Sequence, residues 1–184
     1  MKIGAHVSSA GGISKAIDRG VEIGAEAVQL FCSPPQGWAF KSPSEDEVIA
    51  FRQKSEEMSI SPAFLHGIYL MNFGSPDPAL VSKSIAALVN YMGCASQIGA
   101  QGVIFHCGSH KGAGYDAILK QTTNALAEAL HQSSPDIQLI IKNQFHLKRT
   151  KVKSQSSQNI SCVGLNLLLY RLIDHSRKYH LVQS

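Results

Sequence analysis

Paired cysteines are missing from this chain: Cys32, Cys94, Cys107 and Cys162 stand singly, with no Cys-x-x-Cys spacing among them. Neither a zinc ribbon nor a disulfide framework is supported, and free buried thiols are the plain reading. Long hydrophobic runs are missing too. No stretch approaches the ~18 apolar residues of a membrane-spanning helix. Met1-Lys2-Ile3-Gly4 enters a strand where a signal peptide would begin its apolar region. The expectation is a cytoplasmic protein with no membrane partner. Acidic residues are nearly absent from one end. Residues 142–184 hold 8 Lys and Arg against 1 Asp, a balance of +7, whereas residues 1–141 hold 9 against 12, a balance of −3. A basic tail of this kind can hold a nucleic-acid backbone by counterion release. The same bias follows from translated sequence never selected to fold, and composition leaves both readings open.

What is present is apolar content of 44% in 184 residues, enough to bury one sizeable core. Up to residue 141, short apolar runs alternate with longer segments of helical period, the pattern of βα units around a parallel sheet. Strands are predicted at 2–6, 27–32, 61–65, 102–106 and 137–141. Four helices lie between them. The first runs from about 13 to 23, and the second starts at Ser44-Glu45-Asp46-Glu47, which matches a capping box. The third has Asp77 as N-cap and Pro78 at its first position, with Val81, Ile85, Leu88, Val89, Met92 and Ala95 on one face. The fourth places Ile118, Thr122, Ala125 and Ala129 together.

An internal echo supports repetition: Ile23-Gly24-Ala25-Glu26-Ala27-Val28 and Ile98-Gly99-Ala100-Gln101-Gly102-Val103 lie 75 residues apart and share four of six positions. The glycine suits a left-handed helix C-cap before the next strand. The division read from this pattern is a partial (β/α) barrel over 1–141 and a divergent basic tail over 142–184. The tail lacks a convincing period and is expected to be poorly ordered. Within it, residues 163–173 are apolar enough to pack as a helix or a strand.

Two predicted strands end in histidine. Gly102-Val103-Ile104-Phe105 runs into His106-Cys107-Gly108-Ser109-His110, and Pro62-Ala63-Phe64-Leu65 into His66-Gly67-Ile68-Tyr69-Leu70. One such histidine alone is more often structural, but two delivered in the same way suggest metal chemistry. His6 reads as a packing or hydrogen-bonding residue.

With Gly4-Ala5-His6-Val7-Ser8-Ser9-Ala10-Gly11-Gly12 at the start and Leu30-Phe31 leading to Pro35-Gln36-Gly37-Trp38, these motifs resemble endonuclease IV over roughly residues 1–141. The resemblance implies a TIM barrel of xylose isomerase type, here incomplete with about five βα strands. It implies an enzyme that hydrolyses the phosphodiester 5′ to abasic sites in double-stranded DNA during repair. Three zinc ions serve that reaction at the carboxyl-terminal mouth of the barrel, where clustered metal generates hydroxide and stabilises charge. By resemblance His66 and His106 are metal ligands, and His110 acts behind them or orients its turn. Tyr69 and Gln36-Gly37-Trp38 face DNA.

Two departures stand out. Gln36 takes a place where the family commonly has arginine, removing a planar cation. Lys142-Asn143 takes the place of a Glu-Asn strand end, and an ammonium cannot ligate zinc. The later Asp and His ligands have no matching motif in 143–184. The expectation is at most partial zinc occupancy, little or no activity, and self-association through an uncovered sheet edge. Two alternatives are carried: a sugar isomerase or epimerase of the related barrel type, which needs a carboxylate beside the histidines, and a non-catalytic fragment that binds DNA weakly through its tail.

Overall fold

The computed structural model describes residues 2–142, 160–163, 168–169 and 182–183. The first 142 residues build five βα-type strands in chain order: β1 (Gly4–His6), α1 (Lys15–Glu22), β2 (Ala27–Leu30), α2 (Glu45–Glu57), β3 (Ala63–His66), α3 (Pro78–Ile98), β4 (Gly102–Phe105), α4 (Tyr115–His131) and β5 (Gln138–Lys142). All five predicted strands and four predicted helices are present, with their ends within two residues of the predicted bounds where bounds were given. A sixth strand, β6 (Ile160–Val163), extends the sheet from within the tail, so the parallel array is one strand longer than predicted. Two short strands, β7 (Leu168–Leu169) and β8 (Val182–Gln183), pair antiparallel. The expected disorder of the tail and most of the apolar segment 163–173 otherwise fall outside the described residues.

The helices start and stop for local reasons. Ser44 and Glu47 close a complete capping box on α2. Asp77 accepts a hydrogen bond from the Ala79 N–H at the start of α3, with Pro78 at the first position. Gly99 ends α3 at φ +73, and its echo Gly24 has φ +70 after α1. A side chain would be strained there, so both helix-to-strand turns use glycine.

Strand order follows chain order from β1 to β6, every pairing is parallel, and the order never reverses. A doubly wound sheet would switch direction once. A sheet that keeps adding strands on one side is the progress of a (β/α) barrel, in which all carboxyl-terminal strand ends gather on one rim. The strands are apolar on both faces because helices cover one side and the barrel interior the other. Leu30, Leu65, Val103, Phe105 and Leu139 are fully buried, as are Leu88, Tyr91, Met92, Ala95 and Ile98 of α3. Among the described residues no helix is long and apolar enough to cross a membrane. Among the described residues Cys32, Cys94 and Cys107 form no disulfide; Cys94 is buried as expected, whereas Cys32 and Cys107 are only half-buried.

Candidate functional site

The rim collects the residues that the motifs singled out. His6 closes β1 and His66 closes β3, while His106 follows directly on β4. Their rings form a chain across the barrel mouth, with centroids 5.8 Å apart for His6 and His66 and 5.3 Å for His66 and His106. Phe31 and Tyr69 fill the angles of this chain. Phe31 lies 4.8 Å from His6, 5.1 Å from His66 and 5.5 Å from Tyr69, and Tyr69 lies 5.5 Å from His66. The sequence reading set His6 aside and gave Phe31 no role. Only the shared rim of a parallel sheet puts residues so distant in the chain against one another.

Each imidazole is held differently. The His66 Nδ1–H donates to its neighbour's carbonyl, Gly67 O, at 2.8 Å, which leaves the Nε2 lone pair free. The Gln29 side-chain amide meets His6 Nδ1 at 2.8 Å and occupies that nitrogen. His106 Nδ1 is buried and has no hydrogen-bond partner among the described residues. His110, two turns of loop further on, accepts from the backbone N–H groups of Gly112 at 3.1 Å and Gly114 at 3.2 Å, so its described contacts tie its own turn together.

The loops carrying these groups are stitched at their base. Asn72 Oδ1 accepts from the Gly74 and Ser109 N–H groups, and the Phe73 N–H donates to Cys107 O at 3.0 Å. The Tyr69 N–H donates to Pro35 O at 2.9 Å, which couples the tyrosine to the loop holding Gln36, Gly37 and Trp38. Gln36, Trp38 and Tyr69 are exposed at this mouth, and Gly37 is half-buried. Sequence reasoning missed Asn72. The one available signal was a polar residue closing an otherwise apolar stretch after His66.

Lys142 completes the mouth. Strand register pairs Phe105 with Ile141, so the next step sets His106 beside Lys142 at the carboxyl-terminal edge. Burial holds the His66 imidazole down to about 4, with the fields of His106, Lys142 and His6 adding to it. Burial also lowers His6 and His106, and Lys142 acts on each as the second cause. Among the described residues no carboxylate acts on any of the three. Burial therefore favours the neutral form of all three imidazoles.

This donor set does not fit a zinc centre. Among the described residues no group of three His, Cys, Asp or Glu side chains converges as metal ligands. The His66 Nδ1 is taken up by Gly67 O, and Lys142, whose ammonium cannot ligate a metal, stands at the end of β5.

Residues 17–143 match the model of the xylose isomerase-like TIM barrel. The chain belongs to that family. Within it, the chain is 37% identical over 128 residues to a probable endonuclease 4 of Persephonella marina, covering 70% of this chain and 45% of that protein. It is 41% identical over 122 residues to a probable endonuclease 4 of Nitratidesulfovibrio vulgaris, covering 66% and 43%. The crystal structure of endonuclease IV from Thermus thermophilus superposes with a TM-score of 0.74 at 26% identity, covering 88% of this chain and 62% of that one. This family member thus spans about half the length of the curated relatives it matches. D-psicose 3-epimerase from Clostridium cellulolyticum also superposes, with a TM-score of 0.59 at 11% identity over 77% of this chain and 52% of that one; that likeness concerns the fold alone. The epimerase alternative needs a carboxylate beside His66 and His106, and none acts on them among the described residues.

Proposed function

We propose that this chain is an endonuclease IV-type barrel segment that recognises the phosphodiester backbone of double-stranded DNA at abasic sites and, by itself, does not cut it. The observation that carries the reading is the pairing of His66 and His106 at 5.3 Å on adjacent strand ends, roofed by exposed Tyr69. The tyrosine is coupled through Pro35 to the Gln36-Gly37-Trp38 loop. An aromatic ring and an indole projecting from a rim are suited to stack on a base or fill the space of a missing one. The likeness to endonucleases 4 at 37% and 41% identity supports DNA as the polymer.

Hydrolysis is a different matter. In-line displacement at a phosphodiester needs an activated water and stabilisation of the leaving oxygen. Among the described residues this mouth sets Lys142 beside His106, and no carboxylate base is among the groups acting on the three imidazoles. Among the described residues zinc finds no complete donor set, so binding without incision is the expected behaviour.

Fluorescence anisotropy with a duplex carrying one abasic site, alongside a gel assay with added zinc, tests both halves. Saturable binding favouring the abasic duplex over the intact one is expected, with incision at the level of a no-protein control. Equal or absent binding of the two duplexes would remove the recognition reading. Robust zinc-dependent incision would sink the claim that the chain does not cut.

A further inference from the structure

Phe31 turns its ring toward the mouth, against His6 and His66, while the two residues after it meet the helix layer at α3. Ser33 Oγ and the Tyr91 hydroxyl are hydrogen-bonded at 2.8 Å, and Tyr91 is buried on α3. Cys94 lies three residues further along that helix, on the same face one turn on. Cys32, the neighbour of Ser33, packs against the core, and its thiol is in hydrogen-bonding contact with that of Cys94. Two sulfurs far apart in the chain therefore lie side by side, in a place that the Ser33 to Tyr91 bond fixes independently.

The two thiols differ in access: Cys94 is 1% exposed, whereas Cys32 is half-buried. Cys32 also opens the loop that carries Gln36, Gly37 and Trp38, whose Pro35 carbonyl accepts from the Tyr69 N–H. We propose that Cys32 and Cys94 are an oxidisable dithiol, which a peroxide closes into a disulfide that pins the root of this loop to α3. The Cys32 sulfur takes one peroxide oxygen as the O–O bond breaks, giving a sulfenic acid while the other oxygen leaves as water. The Cys94 sulfur then attacks the Cys32 sulfur, the S–S bond forms, and the sulfenic oxygen leaves as a second water. Two thiols give up two electrons and two protons to one peroxide. Burial pushes the Cys32 thiol up, and the hydrogen bond from Cys32 holds Cys94 below the usual thiol range, so Cys94 suits the second, attacking role. The raised Cys32 makes the first step slow, and excess peroxide drives it. Neither step uses the rim histidines, and the inference stands apart from the DNA reading.

The test treats the full chain with excess hydrogen peroxide, blocks the remaining thiols with an alkylating agent and maps the bridges by peptide mass spectrometry without reductant. A linked pair of peptides holding Cys32 and Cys94 is expected, and dithiothreitol is expected to restore both thiols. Trp38 is the single tryptophan of the chain, so its fluorescence anisotropy reports on the loop. It is expected to rise on oxidation and to fall back with dithiothreitol. Cys32→Ser and Cys94→Ala are each expected to abolish both the bridge and the anisotropy change. Circular dichroism shows that the variants fold, and Cys32→Ser, at the more accessible position, carries the test where the buried Cys94→Ala does not.

Sulfinic or sulfonic acid at Cys32 with Cys94 unbridged overturns the inference, as does a bridge from either residue to Cys107 or Cys162 in its place. Survival of both thiols in excess peroxide overturns it equally. A Cys32 to Cys94 disulfide that leaves the Trp38 anisotropy unchanged overturns the claim that the bond pins the loop.

Discussion

Asn72 Oδ1 accepts hydrogen bonds from the backbone N–H of Ser109 at 3.0 Å and of Gly74 at 3.1 Å, and so joins the loop after His66 to the turn after His106. The Asn72 N–H in turn donates to Ser84 Oγ on α3 at 2.9 Å, anchoring both loops to the helix layer. One buried amide therefore sets the spacing of the two strand-end histidines.

Replacing Asn72 with alanine leaves two backbone donors without their acceptor. An unsatisfied buried donor costs about 1–3 kcal/mol, so Asn72→Ala is expected to lower stability by roughly 2–4 kcal/mol. Urea unfolding measures it. A loss under about 0.5 kcal/mol would mean that water replaces the amide at this junction.

Gly108 sits at φ +89, and a Cβ there would lie 2.3 Å from Asn72 Oδ1 and 2.6 Å from Asn72 Cα. Gly108→Ala combines left-handed strain with a backbone clash and is expected to cost about 2–5 kcal/mol. It should also shift the His106 ring resonances, since the turn must move. Unchanged His106 signals together with unchanged stability would contradict this account of the turn.

Stability should fall with acid in a definite window. Burial holds His66 at about 4 when folded, against about 6.5 for a free imidazole. Between those values the unfolded chain takes up a proton that the folded chain refuses, so folding is favoured above about pH 6.5 and loses that support as pH falls towards 4. His6 and His106, both lowered by burial, act in the same direction. Urea midpoints at pH 7 and pH 5 should differ, with the lower value at pH 5. His66→Asn should flatten the slope, and a parent midpoint independent of pH over that range would refute the burial argument.

Ser44→Ala removes a side chain that accepts from the Glu47 N–H, and with it half of the capping box on α2. Loss of such a cap costs roughly 1 kcal/mol. Thermal unfolding should record the drop with the rim resonances unchanged, because α2 contributes no group to the mouth. A change at His66 or His106 would reveal coupling that the contacts do not explain.

Much of this protein is legible along the chain because its determinants are local. The Ser44–Glu47 box, Asp77-Pro78 and the glycines at 24 and 99 act within a turn of their own position, and apolar period separates strands from helices. The two histidines were equally visible, since an apolar strand running into His66-Gly67 or His106-Cys107-Gly108 states where the imidazole must sit. β6 was not legible, because Ile160-Ser161-Cys162-Val163 is too short for periodicity to assign; pairing with β5 decides its state. Nor was the company each histidine keeps.

Sequence alone therefore determined the βα order and the delivery of His66 and His106 to strand ends, and it marked residue 142 as a lysine. Only tertiary structure decided that Phe31, His6 and Tyr69 wall the same mouth, that Asn72 joins its two loops, and that Lys142 stands beside His106 at the strand ends. The reason is physical: caps and periods act over a few residues, whereas burial and electric fields depend on distances that the chain acquires only when parallel strands share a rim.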